Sequence, residues 1–236
     1  MKDSNYEGRD LEVLADTSNY QAWIMGILGD HVRGRVIEYG SGTGTFTRRL
    51  LPHATSLVAV EPSRNLIAAL RTRFGSHDNV EVCGETLEAH VARQNDRSCD
   101  TIVMINVLEH IEDDRAALQN LVRMLRPGGS LLLFVPALRL LMSELDRVHG
   151  HFRRYQRPEL EAKVGATGAV VAHCRYFDAL GVAPWFILNT VMGSTTFNPS
   201  LVRINDRYVV PLTKALESLV RMPFGKNLIL VARKPN

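Results

Sequence analysis

Five short, nearly continuous apolar runs alternate with helical patterns through the middle of this chain, and that alternation leaves few folds open. The runs are RVIEYG (35–40), SLVAVEP (56–62), NVEVCGE (79–85), CDTIVMIN (99–106) and SLLLFVPA (130–137). Strands apolar on both faces belong to a parallel sheet covered on both sides. The segments between them carry helical stripes. Leu66, Ile67, Leu70 and Phe74 form one, with Ser63 placed as N-cap after Pro62; Leu118, Leu121, Val122 and Leu125 form another, ended by Arg126-Pro127-Gly128-Gly129. Repetition of strand and helix means right-handed crossovers and an open, doubly wound α/β sheet. In such sheets ligands sit at the carboxyl ends of the strands, beside the point where strand order reverses, so the end of the first strand marks the site.

Outside this core the chain adds elements at both ends. Tyr20, Trp23, Ile24, Ile27 and Leu28 fall at i, i+3, i+4, i+7 and i+8, which predicts an amphipathic helix within 11–30, broken by Gly29 and Gly34. AVVAHCRYF (169–177) and NLILVARK (227–234) read as two more strands. A last strand after a long excursion suits an antiparallel edge strand on an otherwise parallel, seven-stranded sheet. The C-terminal helical insertion between these strands holds an apolar run, GVAPWFILNTVMG (181–193), and a helix with Leu212, Leu216, Leu219 and Val220 on one face. The apolar run is expected to be a core helix or a lid over a pocket; the alternative is an exposed patch for a membrane surface or a homodimer partner. With no internal repeat and no linker, residues 1–236 read as one domain, with 1–34 an N-terminal helical cap, 35–137 the core and 138–236 the remaining strands and insertion.

A chain of 236 residues buries roughly 70–75% of its unfolded surface, so neither metal nor disulfide is needed for stability. The three cysteines, Cys83, Cys99 and Cys174, show no metal-ligand spacing and suit a reducing compartment. The polar start MKDSNYEGRD lacks a signal-peptide apolar region, and no stretch approaches the roughly 18 apolar residues of a membrane span. A cytoplasmic location is therefore expected. A net charge of +3 is too small to argue for nucleic acid.

The strongest local signal is Glu38-Tyr39-Gly40-Ser41-Gly42-Thr43-Gly44 at the end of the first strand. Glycine at every second position lets the loop turn tightly and brings backbone N–H groups close to a ligand. A dinucleotide fingerprint would place its third glycine at position 45, which is Thr45. The G-x-G-x-G spacing suits a ligand without a pyrophosphate. Glu61 ends the second strand 21 residues beyond Gly40, where an acid can accept both hydroxyls of a ribose. Gly84-Glu85-Thr86 ends the third strand, and Asn106-Val107-Leu108-Glu109-His110 ends the fourth.

The set VIEYGSGTG, VAVEPS, CGETLE, DTIVMINVLEHIEDD and LRPGGSLLLFVPA, in this order and spacing over residues 35–137, resembles the class I S-adenosylmethionine-dependent methyltransferases. The resemblance implies a Rossmann-like fold and S-adenosyl-L-methionine as methyl donor. It places Gly40, Ser41, Gly42 and Gly44 against the methionine moiety, Glu38 under its amino group and Glu61 on the ribose. Pro62, Glu85 and Thr86 then border the adenine, and Asn106 and Val107 line the pocket below the sulfonium. Asn19-Tyr20-Gln21-Ala22-Trp23 is similar to an N-terminal helix that closes over the donor in many small-molecule members. That puts Tyr20 at the donor and Trp23 at the acceptor; core packing is the alternative for both.

Methyl transfer from a sulfonium needs alignment above all, and a general base only where the nucleophile holds a proton at neutral pH. His110, at the mouth of the fourth strand, is the best-placed base, the alternative being a helix cap. In the ubiquinone-type O-methyltransferases that this region resembles, two acids and a histidine hold a divalent metal. Here Glu109 and His110 match, but Asn106 replaces the first acid, so no metal is expected. The basic segment RVHGHFRRYQR (147–157) follows the fifth strand and contains four arginines, two histidines and no acid. On an extended backbone His149 and His151 share one side, as do Arg153 and Tyr155. Covering the site mouth, the segment would offer His149, His151 and Tyr155 as catalytic candidates beside His110. Arg153 and Arg154 would clamp an acceptor carboxylate or phosphate, a solvated basic surface being the alternative. The expected activity is methylation of an oxygen or nitrogen of a small molecule that is anionic or partly hydrophobic. The rivals are an RNA methyltransferase and a donor-binding regulatory protein without catalysis. No RNA-binding module or aromatic stacking pattern supports the former.

Overall fold

The computed structural model of the chain describes residues 15–236. The polar start and positions 11–14 of the expected first helix lie outside the described residues. Helix α1 spans Ser18–Leu28 and buries Trp23, Ile24 and Leu28, as the apolar stripe requires. The alternation that follows is β1 (Arg35–Tyr39), α2 (Thr45–Leu50), β2 (Ser56–Val60), α3 (Arg64–Phe74), β3 (Val80–Cys83), α4 (Leu87–Arg93), β4 (Cys99–Ile105), α5 (Asp114–Met124) and β5 (Leu125–Pro136). Then come α6 (Glu144–Val148), α7 (Arg157–Gly165), β6 (Val170–Phe177), α8 (Val182–Trp185), α9 (Pro199–Ile204), α10 (Val210–Leu219) and β7 (Asn227–Arg233).

The seven strands form one sheet in the order β3-β2-β1-β4-β5-β7-β6. Strands β1 to β5 pair in parallel, and β7 runs antiparallel to both β5 and β6. The antiparallel strand is thus the last one, as expected, and it inserts one place in from the margin. Composition explains the choice. Asn227–Val231 and Ala232 are buried, as a strand paired on both edges and covered on both faces requires, whereas β6 buries only Cys174 and Phe177 and can face water at the rim. Strand β5 begins five residues earlier than the run 130–137 indicates. Leu125 already pairs with Cys99, and an irregularity near Gly128, whose φ is +73°, brings the chain back into register at Ser130.

Two apolar layers enclose the sheet. One face packs Trp23, Ile24 and Leu28 of α1 and Val210 of α10 against Val103, Phe134 and Ile229. The other packs Leu87 and Val91 of α4, Leu118 and Leu121 of α5, and Leu160 and Val164 of α7 against Ile102, Leu133 and Leu230. Strand order reverses between β1 and β4, so the glycine loop after β1 and residues 106–110 after β4 meet at one crevice. Among the described residues no helix is long and apolar enough to cross a membrane.

The insertion between β6 and β7 departs from expectation. The run 181–193 forms α8 and a wider helical turn over Phe186–Val191, with Ile187, Val191 and Met192 exposed rather than in the core. Leu212, Leu219 and Val220 are also exposed. Hydrophobicity alone gives a helix its stripe; which way the stripe points depends on what the other face bonds to.

Candidate active site

The glycine loop is held by backbone contacts that only its small residues permit. Gly40 and Ser41 donate to Val60 O at 2.8 and 3.2 Å, tying the loop to the end of β2. Gly40 has a φ of +72°, and a Cβ there would lie 2.3 Å from Val107 Cγ2, so glycine is required and Val107 directly abuts the loop. Gly42 and Gly44 also adopt positive φ. Asn106 has a φ of +53° in the turn after β4, a conformation asparagine tolerates better than most residues. Its side chain is exposed at the crevice.

Two buried acids flank the loop. Glu61 accepts Gly42 N–H and Ser63 N–H, both at 2.9 Å, one on each carboxylate oxygen. Each oxygen retains acceptor capacity for a further donor. Pro62 beside it is buried. Glu38 accepts the Thr47 hydroxyl at 2.5 Å, and Ser41 donates to the Glu38 backbone carbonyl. Burial pushes the Glu38 carboxyl up to about 7 against the opposing pull of Thr47 and Ser41. Its ordinary value is 4.5, so between those two pH values the unfolded chain loses a proton that the folded one retains. Stability from this group is full below the ordinary value and is lost as pH rises to about 7. Thermal denaturation should therefore show the empty protein losing stability relative to Glu38→Gln between pH 5 and pH 8. Parallel curves would mean that Glu38 does not titrate in this range.

The adenine-side candidates are otherwise engaged. Glu85 pairs with Arg93 at 2.6 Å, and Thr86 accepts Ala89 N–H at 3.2 Å as the N-cap of α4. The chain passes from the end of β3 to the start of α4 in three residues, 84–86, and capping the helix takes the hydroxyl of the last of them.

At the end of β4 the segment after β5 folds back over the crevice, as Phe152 N donates to Glu109 O at 2.9 Å. The backbone is not extended throughout. Residues 144–148 form helix α6, and Gly150 turns at a φ of +76°. Even so, the His149 and His151 ring centroids lie 6.3 Å apart, and those of His110 and His151 4.6 Å apart. One ligand atom from each of Glu109, His110 and His151 lies within 4.8 Å of the other two. Glu109 is fully buried, and neither carboxylate oxygen has a hydrogen-bond partner. Burial pushes it up to about 7, against the opposing influence of His151.

His151 Nδ1 lies 2.8 Å from Asp146 Oδ1. Burial raises the Asp146 pKa, but His151, Arg154 and Ser143 outweigh it and hold the carboxyl near 2. An ionised Asp146 next to Nδ1 fixes the orientation of the His151 ring, with Nε2 on the opposite edge. The sequence reading missed Asp146. Its signals were Ser143-Glu144-Leu145-Asp146, a capping box in which the Asp146 carboxylate accepts Ser143 N–H at 2.9 Å, and the histidine five residues on.

Three residues expected at the acceptor or in catalysis are placed otherwise. Arg154 is buried, its Nε 3.0 Å from Asp146 Oδ1 and its guanidinium 4.5 Å from the Trp185 ring centroid. Arg153 pairs with Asp114 at 2.7 Å and donates to the carbonyls of Ile111 and Glu112. Tyr155 is buried and donates to Asp114 at 2.8 Å. Arg153 and Tyr155 thus share a side, and that side faces Asp114 rather than an acceptor. Asp114 also takes Lys163 Nζ at 2.6 Å. Burial raises its pKa; Lys163, Tyr155 and Arg153 more than reverse this. A buried guanidinium or phenol needs a partner, and these two aspartates supply it.

The α1 aromatics pack against the sheet. Trp23 lies in the core with its ring 3.8 Å from that of Phe177. Tyr20 packs edge-on against Trp23, Phe134 and Phe177, and its hydroxyl donates to Asn227 at 3.1 Å. Burial raises its pKa well above the ordinary value.

A family model described as a methyltransferase domain matches residues 13–185. Glycine N-methyltransferase of Mus musculus is 31% identical over 133 residues, which cover 50% of this chain and 45% of that one. The chain thus spans about half the length of the curated relatives it matches. Among solved structures, an S-adenosylmethionine-dependent methyltransferase from Mesorhizobium loti superposes with a TM-score of 0.64 at 16% identity, over 93% of this chain and 100% of that one. The N-methyltransferase NodS from Bradyrhizobium japonicum gives 0.62 at 16% identity, over 98% and 94%. Matched by the family model over most of its length, with the 3-2-1-4-5-7-6 sheet and the glycine loop at its switch point, the chain belongs to the methyltransferase-domain family within the class I S-adenosylmethionine-dependent methyltransferases.

Proposed function

We propose that the chain transfers a methyl group from S-adenosyl-L-methionine to an oxygen or nitrogen of a small-molecule acceptor seated over Glu109, His110 and His151. One observation carries this reading: the glycine loop with its buried acid, Glu61, abuts the β4 turn that presents Glu109 and His110, over which the segment after β5 brings His151. The donor brings the reactive methyl on a positively charged sulfur, and the protein supplies alignment. Gly40, Ser41, Gly42 and Gly44 give the close backbone approach, Glu61 holds the ribose, and Glu38 supports the ammonium group, whose charge favours the ionised carboxylate. Val107 and Asn106 line the methyl side. On the adenine side, beside Pro62, Glu85 would exchange Arg93 for an exocyclic amine at small cost, because exposed ion pairs contribute about 0–1 kcal/mol. His151, oriented by Asp146, is the general base, with His110 beside it and His149 at the rim. The mouse glycine N-methyltransferase, named for a small-molecule acceptor, supports this acceptor class, and NodS, crystallised with S-adenosylhomocysteine, supports the donor. The test is calorimetric titration with S-adenosylmethionine and, separately, NAD. Micromolar binding of the former alone is expected; binding of NAD alone would end the proposal.

A second reading rests on the unpartnered Glu109 carboxylate. One carboxylate and two imidazoles form a ligand set that suits a borderline divalent cation, with Asp146 fixing His151 as an outer partner would. The charge of Arg154 is met by Asp146 and does not oppose a cation. Such an ion would polarise an acceptor hydroxyl. Zn²⁺ or Mn²⁺ should then bind with one-to-one stoichiometry, and Asp146→Asn should weaken binding roughly 10- to 100-fold. Absence of stoichiometric binding, with turnover unchanged in chelator, leaves His151 as a metal-free base.

A further inference from the structure

Helix α9, the wide turn Asn205–Val209 and α10 form one uninterrupted helical rod over residues 199–219, since the backbone stays in the right-handed helical region across both junctions. Its inward face is formed by Asp206, Val210, Thr213 and Glu217, which are buried. Three of these four are polar, and they are bonded. Asp206 accepts the N–H groups of Asn19 and Tyr20 at 3.1 and 2.9 Å, capping the start of α1. Glu217 accepts Ala179 N–H at 2.8 Å, and Thr213 donates to Val209 O. The outward face carries Leu201, Ile204, Tyr208, Leu212 and Leu219, with exposures of 51%, 54%, 63%, 62% and 84%. The spacing is three, four, four and seven residues, a single stripe. The rod is therefore turned opposite to an ordinary surface helix, whose apolar stripe faces the core.

Charge decides what can cover it. Between residues 182 and 225 the only acids are Asp206 and Glu217, both buried, while Arg203, Arg207, Lys214 and Arg221 are all exposed. A second copy docking by the same face would set two basic surfaces together with no exposed acid on either to pair them. A negatively charged, apolar-cored surface meets both features.

We propose that this rod lies in the headgroup region of an anionic lipid bilayer, its leucine and isoleucine side chains entering the acyl boundary and its arginines and lysine reaching phosphate. This attachment is parallel to the surface and needs no membrane-spanning segment. It is independent of the donor and acceptor sites, because none of the residues on the outward stripe belongs to either.

The test is cosedimentation of the full chain with sucrose-loaded vesicles of phosphatidylcholine alone, or with roughly 30 mol% phosphatidylglycerol added. Binding is expected to the anionic vesicles and not to the neutral ones, and to fall in high salt. The double substitution Ile204→Glu with Leu212→Glu should lower binding at least about tenfold. Arg207→Glu with Lys214→Glu should do the same. All four positions are exposed, so an unchanged thermal midpoint and unchanged donor affinity would show that each variant is folded. No binding to either vesicle, equal binding to both, or a dimer in solution that the same substitutions split would overturn the proposal.

Discussion

Asp146→Ala is expected to destabilise the protein by about 3–5 kcal/mol, because it leaves a buried guanidinium without its counter-charge. Both side chains of the Asp146–Arg154 pair are almost wholly enclosed, at 0% and 2% exposure, and the pair is closed at 3.0 Å. The same carboxylate accepts Ser143 N–H and hydroxyl at 2.9 and 2.8 Å, so the α6 capping box goes with it. For a chain of this size the loss should appear as a fall in Tm of roughly 10 °C. The desolvation origin can be checked by removing the other charge as well: Asp146→Leu with Arg154→Met should recover much of the loss, since a well-packed apolar pair often matches a buried ion pair. Arg147→Ala is the contrasting case. Its partner Glu144 is also exposed, and the change should stay within about 0.5 kcal/mol. If Asp146→Ala costs no more than Arg147→Ala, the cluster is not held by this aspartate. His151 would then owe its orientation to something else.

Glu61→Ala should weaken S-adenosylmethionine binding by about 2–3 kcal/mol, the usual worth of a hydrogen bond to a charged acceptor, or roughly 30- to 150-fold in Kd. The substitution acts twice. It deletes the acceptor proposed for the ribose, and it frees Gly42 N–H and Ser63 N–H, which shape the loop. Glu61→Gln separates the two effects. A glutamine oxygen can still accept one of the N–H groups, but its amide nitrogen faces the other as donor against donor. It should therefore fall between wild type and alanine in affinity. Unchanged donor affinity in Glu61→Ala, measured calorimetrically with the fold intact by circular dichroism, would remove Glu61 from the site.

Much of this was legible from one dimension. Strands buried on both faces write themselves as continuous apolar runs, and glycines at 40, 42 and 44 mark a backbone that must take positive φ. Both are local properties, so period and residue type determined the β1–β5 alternation, the glycine loop and the place of Glu61 beside it. What lay beyond local pattern went differently. RVHGHFRRYQR reads as a solvated basic segment or an anion clamp because one counter-charge, Asp114, lies about 40 residues upstream and the other, Asp146, stands just outside its edge; only folding brings Arg153 and Tyr155 to the one and turns Arg154 and His151 back onto the other. The meeting of Glu109 and His110 with His151, 41 residues further on, depends on the chain returning over β4 after β5. The orientation of the 199–219 rod was equally out of reach. A stripe of leucines predicts a helix but not its outward turn, which was decided by Asp206 and Glu217 finding buried N–H groups at the start of α1 and after β6. Sequence settles what each segment prefers by itself, while the pairing of charges and the side on which an amphipathic helix lies follow from which partners tertiary contact provides.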